Sequence, residues 1–187
     1  MLEVLQALIK QGKINQIGVS NETPWGLMRF IEESKKHNLP KISTIQNPYS
    51  LINRTFESNL FEICYRENVG LLAYSPLGFG VLTGKYNVEK QDPNARLNLF
   101  PNFARYNSAQ TREAARLYEE IANKFELSVT QMALAFIRQQ SFVTSTIIGA
   151  TSRAQLAVNI ASEQVTLSDA VLQEIEKVQN QFPDPAP

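Results

Sequence analysis

The sequence predicts an α/β fold built on a parallel sheet, with about half of the strands that a closed barrel of this kind needs. Four short runs read as strands buried on both faces, at residues 16–20, 42–46, 70–76 and 145–150, and amphipathic helical stretches separate them. Parallel strands need helical crossovers and are covered on both faces. A closed α/β barrel takes about eight strands, so four strands preceded by a helix indicate an incomplete sheet. An open four-stranded sheet is the alternative.

The chain opens with a predicted helix. Apolar residues within 2–9 recur at helical spacing, and Gly12 ends the last turn. Residues 16–20 are too short an apolar run for a helix and are predicted as a strand. Thr23 then suits the N-cap of the next helix, and Pro24 suits its first position.

The same alternation continues to the end of the chain. Ser128 and Gln131 have the spacing of a capping box, which predicts a helix start. Only residues 77–107 resemble a long loop, and loops of that length usually carry function. The predicted helices after the second strand are, in order, residues 56–67, 111–125, 128–140, 152–162 and 168–181.

The composition is that of one domain spanning residues 1–187. The 18 basic and 18 acidic side chains leave no net charge, so we expect neither nucleic acid nor a membrane surface as a partner. Cys64 is the single cysteine, which excludes an internal disulfide and favours a reducing compartment, the cytoplasm by default. The apolar runs are shorter than the roughly 18 to 20 residues of a membrane span, and no metal-ligand spacing is found.

Polar residues stand where each predicted strand ends. The carboxyl ends of parallel strands meet at one edge of the sheet, and α/β folds bind ligands at that edge. We therefore predict a ligand-binding edge, with helix caps or turn residues as the alternative for any single position. These residues are Ser20 and Asn21, Gln46 and Asn47, Tyr74 and Ser75, and Thr151 and Ser152.

Closely spaced glycines follow the third strand. Gly78, Gly80 and Gly84 would let the backbone approach a ligand, while Ser75 and Lys85 would offer a hydroxyl and a cation to a phosphate. The glycine spacing is one residue longer than the dinucleotide fingerprint, and no helix is predicted to start directly after it. A Rossmann site is therefore not predicted, and a structural glycine loop is the alternative.

Four segments together resemble the aldo/keto reductases. They are GKINQIGVSN (12–21), TIQNPYS (44–50), LAYSPLGFGVLTGKY (72–86) and STIIGATS (145–152). Within that family the chain is most similar to bacterial Tas-type reductases, with potassium-channel β subunits as more distant relatives. The resemblance implies a TIM (β/α)8 barrel that reduces aldehydes and ketones with NADP(H). This chain would cover its C-terminal half, as four β/α units preceded by a helix.

Carried over position by position, the resemblance implies a cofactor extended across the strand edge. Ser20, Asn21 and Gln46 would hydrogen-bond the nicotinamide carboxamide, and Tyr74 would stack on the nicotinamide ring. Arg96 would add a phosphate contact. The loop over the pyrophosphate would comprise Ser75, Pro76, Leu77, Gly78, Phe79, Gly80 and Lys85.

The adenosine end of the cofactor would lie after the fourth strand. The resemblance surrounds it with Gly149, Thr151, Gln155 and Asn159, and Arg153 would assist a 2′-phosphate. These positions complete the implied NADP(H) site.

Catalysis in the family rests on a Tyr proton donor, a Lys, an Asp and a His near the first four strands. The resemblance places Met1 after the fourth strand, so none of the four has a counterpart here and we expect no catalytic residue. His37, at the polar end of a helix, is expected on the solvated surface.

Tyrosines are the remaining candidates for a proton donor. Tyr74 and Lys85 are the one Tyr and Lys pair near the implied site, and stacking is the better role for this Tyr. Tyr49 and Tyr106 are expected as packing or substrate-side residues.

Three interpretations of function stay open. The chain could join the missing N-terminal half, or a second copy, in an enzyme for a small carbonyl substrate, with residues 99–106 lining the pocket. It could be a non-catalytic NADP-binding or partner-binding module, as channel β subunits suggest. It could also be a truncated gene product. A free half barrel should expose strand edges and an apolar barrel interior.

Overall fold

A computed structural model of the chain describes residues 1–88, 92–100 and 104–187. Strands and helices alternate within these residues, which confirms the predicted fold class. None of the described helices is long and apolar enough to cross a membrane. The strands are β1 (Ile17–Ser20), β2 (Ile42–Pro48), β3 (Gly70–Tyr74) and β4 (Val143–Thr146). The α-helices are α1 (Leu2–Lys10), α2 (Pro24–His37), α3 (Thr55–Asn59), α4 (Phe61–Glu67), α5 (Arg96–Leu99), α6 (Ala109–Lys124), α7 (Val129–Arg138), α8 (Arg153–Ala161) and α9 (Asp169–Gln181).

The four strands form one parallel sheet in the order β1-β2-β3-β4. Val19 pairs with Ile45, and Ile45 pairs with Leu71, so these three side chains share one face. Helices pack along the sheet, α2 on β2, α4 on β3 and α7 on β4, and Ile45 and Leu71 are fully buried. Sequential parallel strands with helical crossovers are the units of an α/β barrel, and this chain forms part of one.

The opposite face of the sheet is open and mainly polar. Ser20, Gln46 and Leu72 are in register across it, as are Thr44 and Gly70, and all five are exposed or half-buried. Only Leu72 among them is aliphatic, so the expected apolar interior is wrong for this part of the sheet. The glycine leaves room for a neighbouring hydroxyl, since a Cβ on Gly70 would lie 2.1 Å from Thr144 Oγ1.

The predicted starts of α2 and α7 are confirmed, and α6 begins two residues earlier than predicted. The hydroxyl of Thr23 accepts a hydrogen bond from the Gly26 N–H at 3.0 Å, and Pro24 begins α2. The predicted helix over 56–67 is instead two helices that meet at Leu60. This residue has φ −107°, away from the ordinary helical value near −63°, and its side chain is buried.

β4 is shorter than predicted and begins earlier. β4 ends at Thr146, although the Ile147 N–H still donates to Ala73 O at 2.7 Å. Ile147 and Ile148 are exposed by 40% and 37%, whereas the sequence predicted a buried strand there. The reason is the position of β4 at an edge. Among the described residues it pairs only with β3, so nothing covers its second side.

The predicted long loop contains local structure. Gly78–Thr83 forms short 3-10 turns interrupted by non-helical backbone at Phe79, Gly80 and Leu82, so the glycines lie within these turns and do not precede an α-helix, as expected. α5 and the 3-10 turn Ala104–Tyr106 lie further along. The rest of the predicted loop at residues 89–91 and 101–103 lies outside the described residues.

Candidate functional site

Four of the predicted nicotinamide residues meet at the carboxyl edge of β1, β2 and β3. The Ser20 hydroxyl donates to the backbone oxygen of Gln46 at 3.1 Å, and the Asn21 side-chain amide donates to that hydroxyl at 3.2 Å. The Tyr74 hydroxyl donates to Asn21 Oδ1 at 2.8 Å. One chain of hydrogen bonds therefore crosses the edge and fixes these groups relative to one another.

The backbone turns sharply at the ends of β1 and β3. Asn21 and Ser75 both have φ 53°, a left-handed conformation that is uncommon outside glycine and that Asn adopts more readily than Ser. The Asn21 N–H donates to Gln46 O and to Asn47 Oδ1, each at 3.0 Å, and these bonds hold the turn. Sparsely populated backbone of this kind clusters at ligand sites.

The glycine-containing loop after β3 is tightly wound. Gly78, Phe79 and Gly80 have φ of 52°, 57° and 91°. The Gly78 N–H donates to Ser75 O, and the Gly80 N–H donates to Leu77 O, both at 2.9 Å. Residues of the loop differ in burial. Pro76 and Gly78 are buried, whereas Ser75, Leu77, Phe79 and Gly80 are half-buried.

Two cationic side chains lie against this loop. A Cβ on Gly80 would lie 2.5 Å from Lys85 Nζ, so only glycine lets the amine rest on the backbone there. The Arg96 guanidinium lies over the Phe79 ring, 4.3 Å from its centroid, and the Tyr106 ring stacks on the same ring with centroids 4.6 Å apart. The structure thus brings both predicted phosphate contacts to the loop.

The pKa values of Lys85 and Tyr74 are shifted in opposite directions. Burial lowers the pKa of Lys85 below its usual range, and the charge of Arg96 acts in the same direction against an opposing effect of Asp92. Burial raises the pKa of Tyr74, and Tyr106 adds to this while Arg105 opposes it. Tyr74 therefore holds its proton firmly, which suits ring stacking better than acid catalysis.

The predicted adenosine residues lie in the turn between β4 and α8 and on α8 itself. The Thr151 N–H and hydroxyl donate to Gln155 Oε1 at 2.9 and 3.0 Å, and the buried Asn159 donates from Nδ2 to Gly149 O at 3.3 Å. Among the described residues nothing lies within 4 Å of a Cβ placed on Gly149. Arg153, the first residue of α8, is exposed and forms no ion pair with any described residue.

Other candidate residues have structural roles. His37 is half exposed, with Nε2 3.4 Å from a carboxylate oxygen of Glu33, as expected of a surface residue. Tyr49 is fully buried against Phe142, with ring centroids 5.2 Å apart, and burial raises its pKa far above the usual range. It is a packing residue. No cluster of three or more metal-binding side chains occurs in the described part of the chain.

Sequence reasoning did not predict the contacts that two residues, Ile52 and Tyr106, make with the glycine loop. Ile52 is fully buried beneath it, since a Cβ on Gly78 would lie 2.6 Å from Ile52 Cδ1. Tyr106, considered only as a packing or substrate-side residue, forms the stack on Phe79. No local pattern marks such contacts, because both partners are distant in sequence. In the predicted pocket segment 99–106, Leu99 is exposed, and 101–103 lie outside the described residues.

These features define a partial α/β barrel with a candidate ligand-binding edge. The family model described as the aldo/keto reductase family matches residues 1–180. The chain belongs to the aldo/keto reductase family.

Individual relatives agree with that assignment. The chain is 51% identical over 190 residues to protein tas of Escherichia coli, with 100% of this chain and 55% of that protein covered. It is 36% identical over 193 residues to an aldo-keto reductase of Babesia bovis, covering 98% and 67%. It is 29% identical over 167 residues to an NADH-specific methylglyoxal reductase of E. coli, covering 89% and 49%. The chain spans about half the length of most of these relatives.

Lys85 predicts that the affinity of the glycine loop for a dinucleotide diphosphate depends on pH. A diphosphate favours the protonated amine, so affinity is highest while free Lys85 is protonated and falls as pH rises through its pKa. Because that pKa is lowered, the fall begins at a lower pH than for an ordinary lysine. In calorimetric titrations of NADPH from about pH 7 to 10, we expect the affinity to fall as the pH rises, starting below the pH at which an ordinary lysine loses its proton.

Lys85→Arg is the matched control, since its side chain stays charged over that interval and should give a flat profile. The same decline in Lys85→Arg would assign the pH dependence to another group.

Proposed function

We propose that this chain forms the cofactor-binding half of an NADP(H)-dependent aldo/keto reductase. The observation that carries the proposal is the meeting of three groups of residues at one sheet edge. The hydrogen-bonded residues after β1 and at β2, the glycine loop after β3, and the turn after β4 all follow strands of one parallel sheet. An extended dinucleotide needs contacts of this kind at its two ends and its middle.

The chemistry of each group suits one part of the cofactor. Amide and hydroxyl groups of Ser20 and Asn21 are exposed at the edge and fit a carboxamide. Lys85 and Arg96 offer cations beside the glycine backbone and fit a diphosphate. The open space at Gly149 leaves room for an adenosine. When bound, the cofactor would supply a hydride to the carbonyl carbon of the substrate.

NADP(H), and not NAD(H), is proposed from Arg153. Its exposed guanidinium stands at the start of α8 without an ion-pair partner among the described residues, where it can meet a 2′-phosphate. Coenzyme choice needs its own test, because one similar E. coli protein is named as NADH-specific.

We assign no proton donor to this chain. Tyr49 and Tyr118 are buried and Tyr74 is held in the edge network, and burial raises the pKa of all three. A phenol that donates a proton near neutral pH needs the opposite shift. The second candidate function, a cofactor-binding module without catalysis, is favoured by this observation.

We further propose that the half barrel pairs with a complementary half or with a second copy of itself. Among the described residues β1 and β4 each pair on one side only. Apolar side chains are exposed directly after β4 and on α8, with Ile147 at 40%, Leu156 at 43% and Ile160 at 61%. Open strand edges flanked by apolar surface favour association. A small aldehyde or ketone is the substrate class we propose for the completed protein.

Gly149→Val tests the cofactor site. The open space around Gly149 means that the added side chain should change the free energy of unfolding by less than about 0.5 kcal/mol. We expect it to weaken NADPH binding at least about tenfold by steric exclusion, measured by isothermal titration calorimetry. Ala150→Val, an exposed neighbour, is the control and should bind normally. Equal affinity in both variants, or no NADPH binding by the unaltered chain, would count against the site.

Arg153→Gln tests the coenzyme choice. Loss of the guanidinium should raise the Kd for NADPH about tenfold and leave that for NADH within about twofold, because only NADPH carries the 2′-phosphate. Arg153→Lys should keep most of the preference. An equal loss for both coenzymes would remove Arg153 from this role.

Association is tested by sedimentation velocity over a wide concentration range. We expect concentration-dependent assembly, weakened in Ile160→Glu, which places a charge among the exposed apolar side chains of α8. Tyr65→Glu changes a 76% exposed residue of α4 and should not alter assembly. A monomer at every concentration would refute self-pairing.

A further inference from the structure

The segment that follows α9, residues 182–187, packs back onto the body of the protein, and we refer to it as the strap. The Asp184 carboxylate accepts a hydrogen bond from the backbone N–H of Arg54. The N–H of Ala186, a fully buried residue, donates to the backbone oxygen of Ile52 at 3.0 Å. The strap is therefore anchored on the turn that connects β2 to α3.

That anchor lies directly beneath the glycine loop. Ile52 is fully buried, and its Cδ1 would lie 2.6 Å from a Cβ on Gly78, so the two residues are in close contact. The turn itself is held by paired backbone hydrogen bonds between Ser50 and Asn53, at 3.0 and 3.1 Å. A displacement of Ile52 would therefore change its contact with Gly78 and alter the position of the loop backbone there.

A second connection runs through Thr111 at the start of α6. Its hydroxyl lies 2.8 Å from Pro185 O in the strap and 3.2 Å from Arg105 O, and the residue is fully buried. Arg105 precedes Tyr106, whose ring stacks on Phe79 at the surface of the glycine loop. One hydroxyl thus joins the strap to the segment that flanks the loop.

The anchor on the β2–α3 turn is itself stabilised. The Arg54 side chain, 12% exposed, forms ion pairs with Glu57 at 2.7 Å and with Glu176 of α9 at 2.6 Å. Glu176 lies on the helix that leads into the strap. The strap and the helix before it are therefore both bound to Arg54. Asp184 bonds its backbone N–H, and Glu176 pairs with its side chain.

We infer that the strap positions the glycine loop for the cofactor diphosphate, with Asp184 and Thr111 as positioning residues. Neither side chain is among those we assign to the cofactor site, and both act through their neighbours: Asp184 through the turn under Gly78, and Thr111 through the segment that carries Tyr106. The inference rests on the proposed cofactor-binding function. The order of the loop itself is measurable without any cofactor.

Hydrogen exchange of the loop amides tests the inference. Gly78, Gly80 and Leu82 donate backbone hydrogen bonds within the loop, so their amides report its opening. In Asp184→Ala and in Thr111→Val we expect exchange at these amides to increase about tenfold, with β2 and β3 amides unchanged. Thr111→Ser keeps the hydroxyl and should exchange at nearly the normal rate.

A control separates this effect from a general loss of stability. The buried Ser34 hydroxyl, near the C-terminal end of α2, donates to Pro40 O at 2.8 Å. Ser34→Ala therefore removes a comparable hydrogen bond in another part of the chain. It should leave exchange in the loop unchanged. Unchanged loop exchange in both Asp184→Ala and Thr111→Val, or equal increases in Ser34→Ala, would overturn the inference.

NADPH titration of the same variants completes the test. A Kd raised about fivefold or more in Thr111→Val, and restored in Thr111→Ser, would support positioning of the diphosphate contacts. If the unaltered chain binds no NADPH, the proposed function fails, and the exchange result alone decides whether the strap orders the loop. Faster loop exchange with unaltered NADPH affinity would overturn the positioning role.

Discussion

Parallel pairing is the constraint on which the rest of the structure depends. Because every strand runs in the same direction, each carboxyl end arrives at one edge, and chain segments that are far apart in sequence become neighbours there. Ser20 at the end of β1 and Tyr74 at the end of β3, two crossovers later, meet through Asn21. The helices pack on the face that carries Ile45 and Leu71, which leaves the opposite face of the sheet open. The location of the site thus follows from strand direction, and its specificity follows from a few side chains.

Local sequence predicted much of this arrangement. Thr23 and Pro24 marked the start of α2, and Ser20 and Asn21 marked the end of β1, because caps and strand ends are determined by adjacent residues. The proposed cofactor positions came from family resemblance, and they lie at the sheet edge, in the glycine loop, and in the β4–α8 turn with the helix that follows it. The limits of β4 were predicted less well, since an edge strand depends on whether a neighbour covers it.

Contacts between distant segments were beyond sequence reasoning. Ile52 under Gly78 and Tyr106 on Phe79 are ordinary apolar and aromatic residues whose importance lies only in what they touch. The polar character of the open sheet face was also mispredicted. Apolar runs suggested a fully apolar interior, while the register places Ser20 and Gln46 side by side with Leu72. Register is a property of strand pairing, so composition alone does not show it.

The polar open face has a consequence for how such a half barrel meets other chains. A surface that carries hydroxyl and amide groups is readily wetted, so nonspecific collapse onto it gains little free energy. The strand edges, by contrast, attract by directional backbone hydrogen bonds, and each edge accepts one further strand. Association governed by edges is saturable and ordered, and it ends when the ring of strands closes.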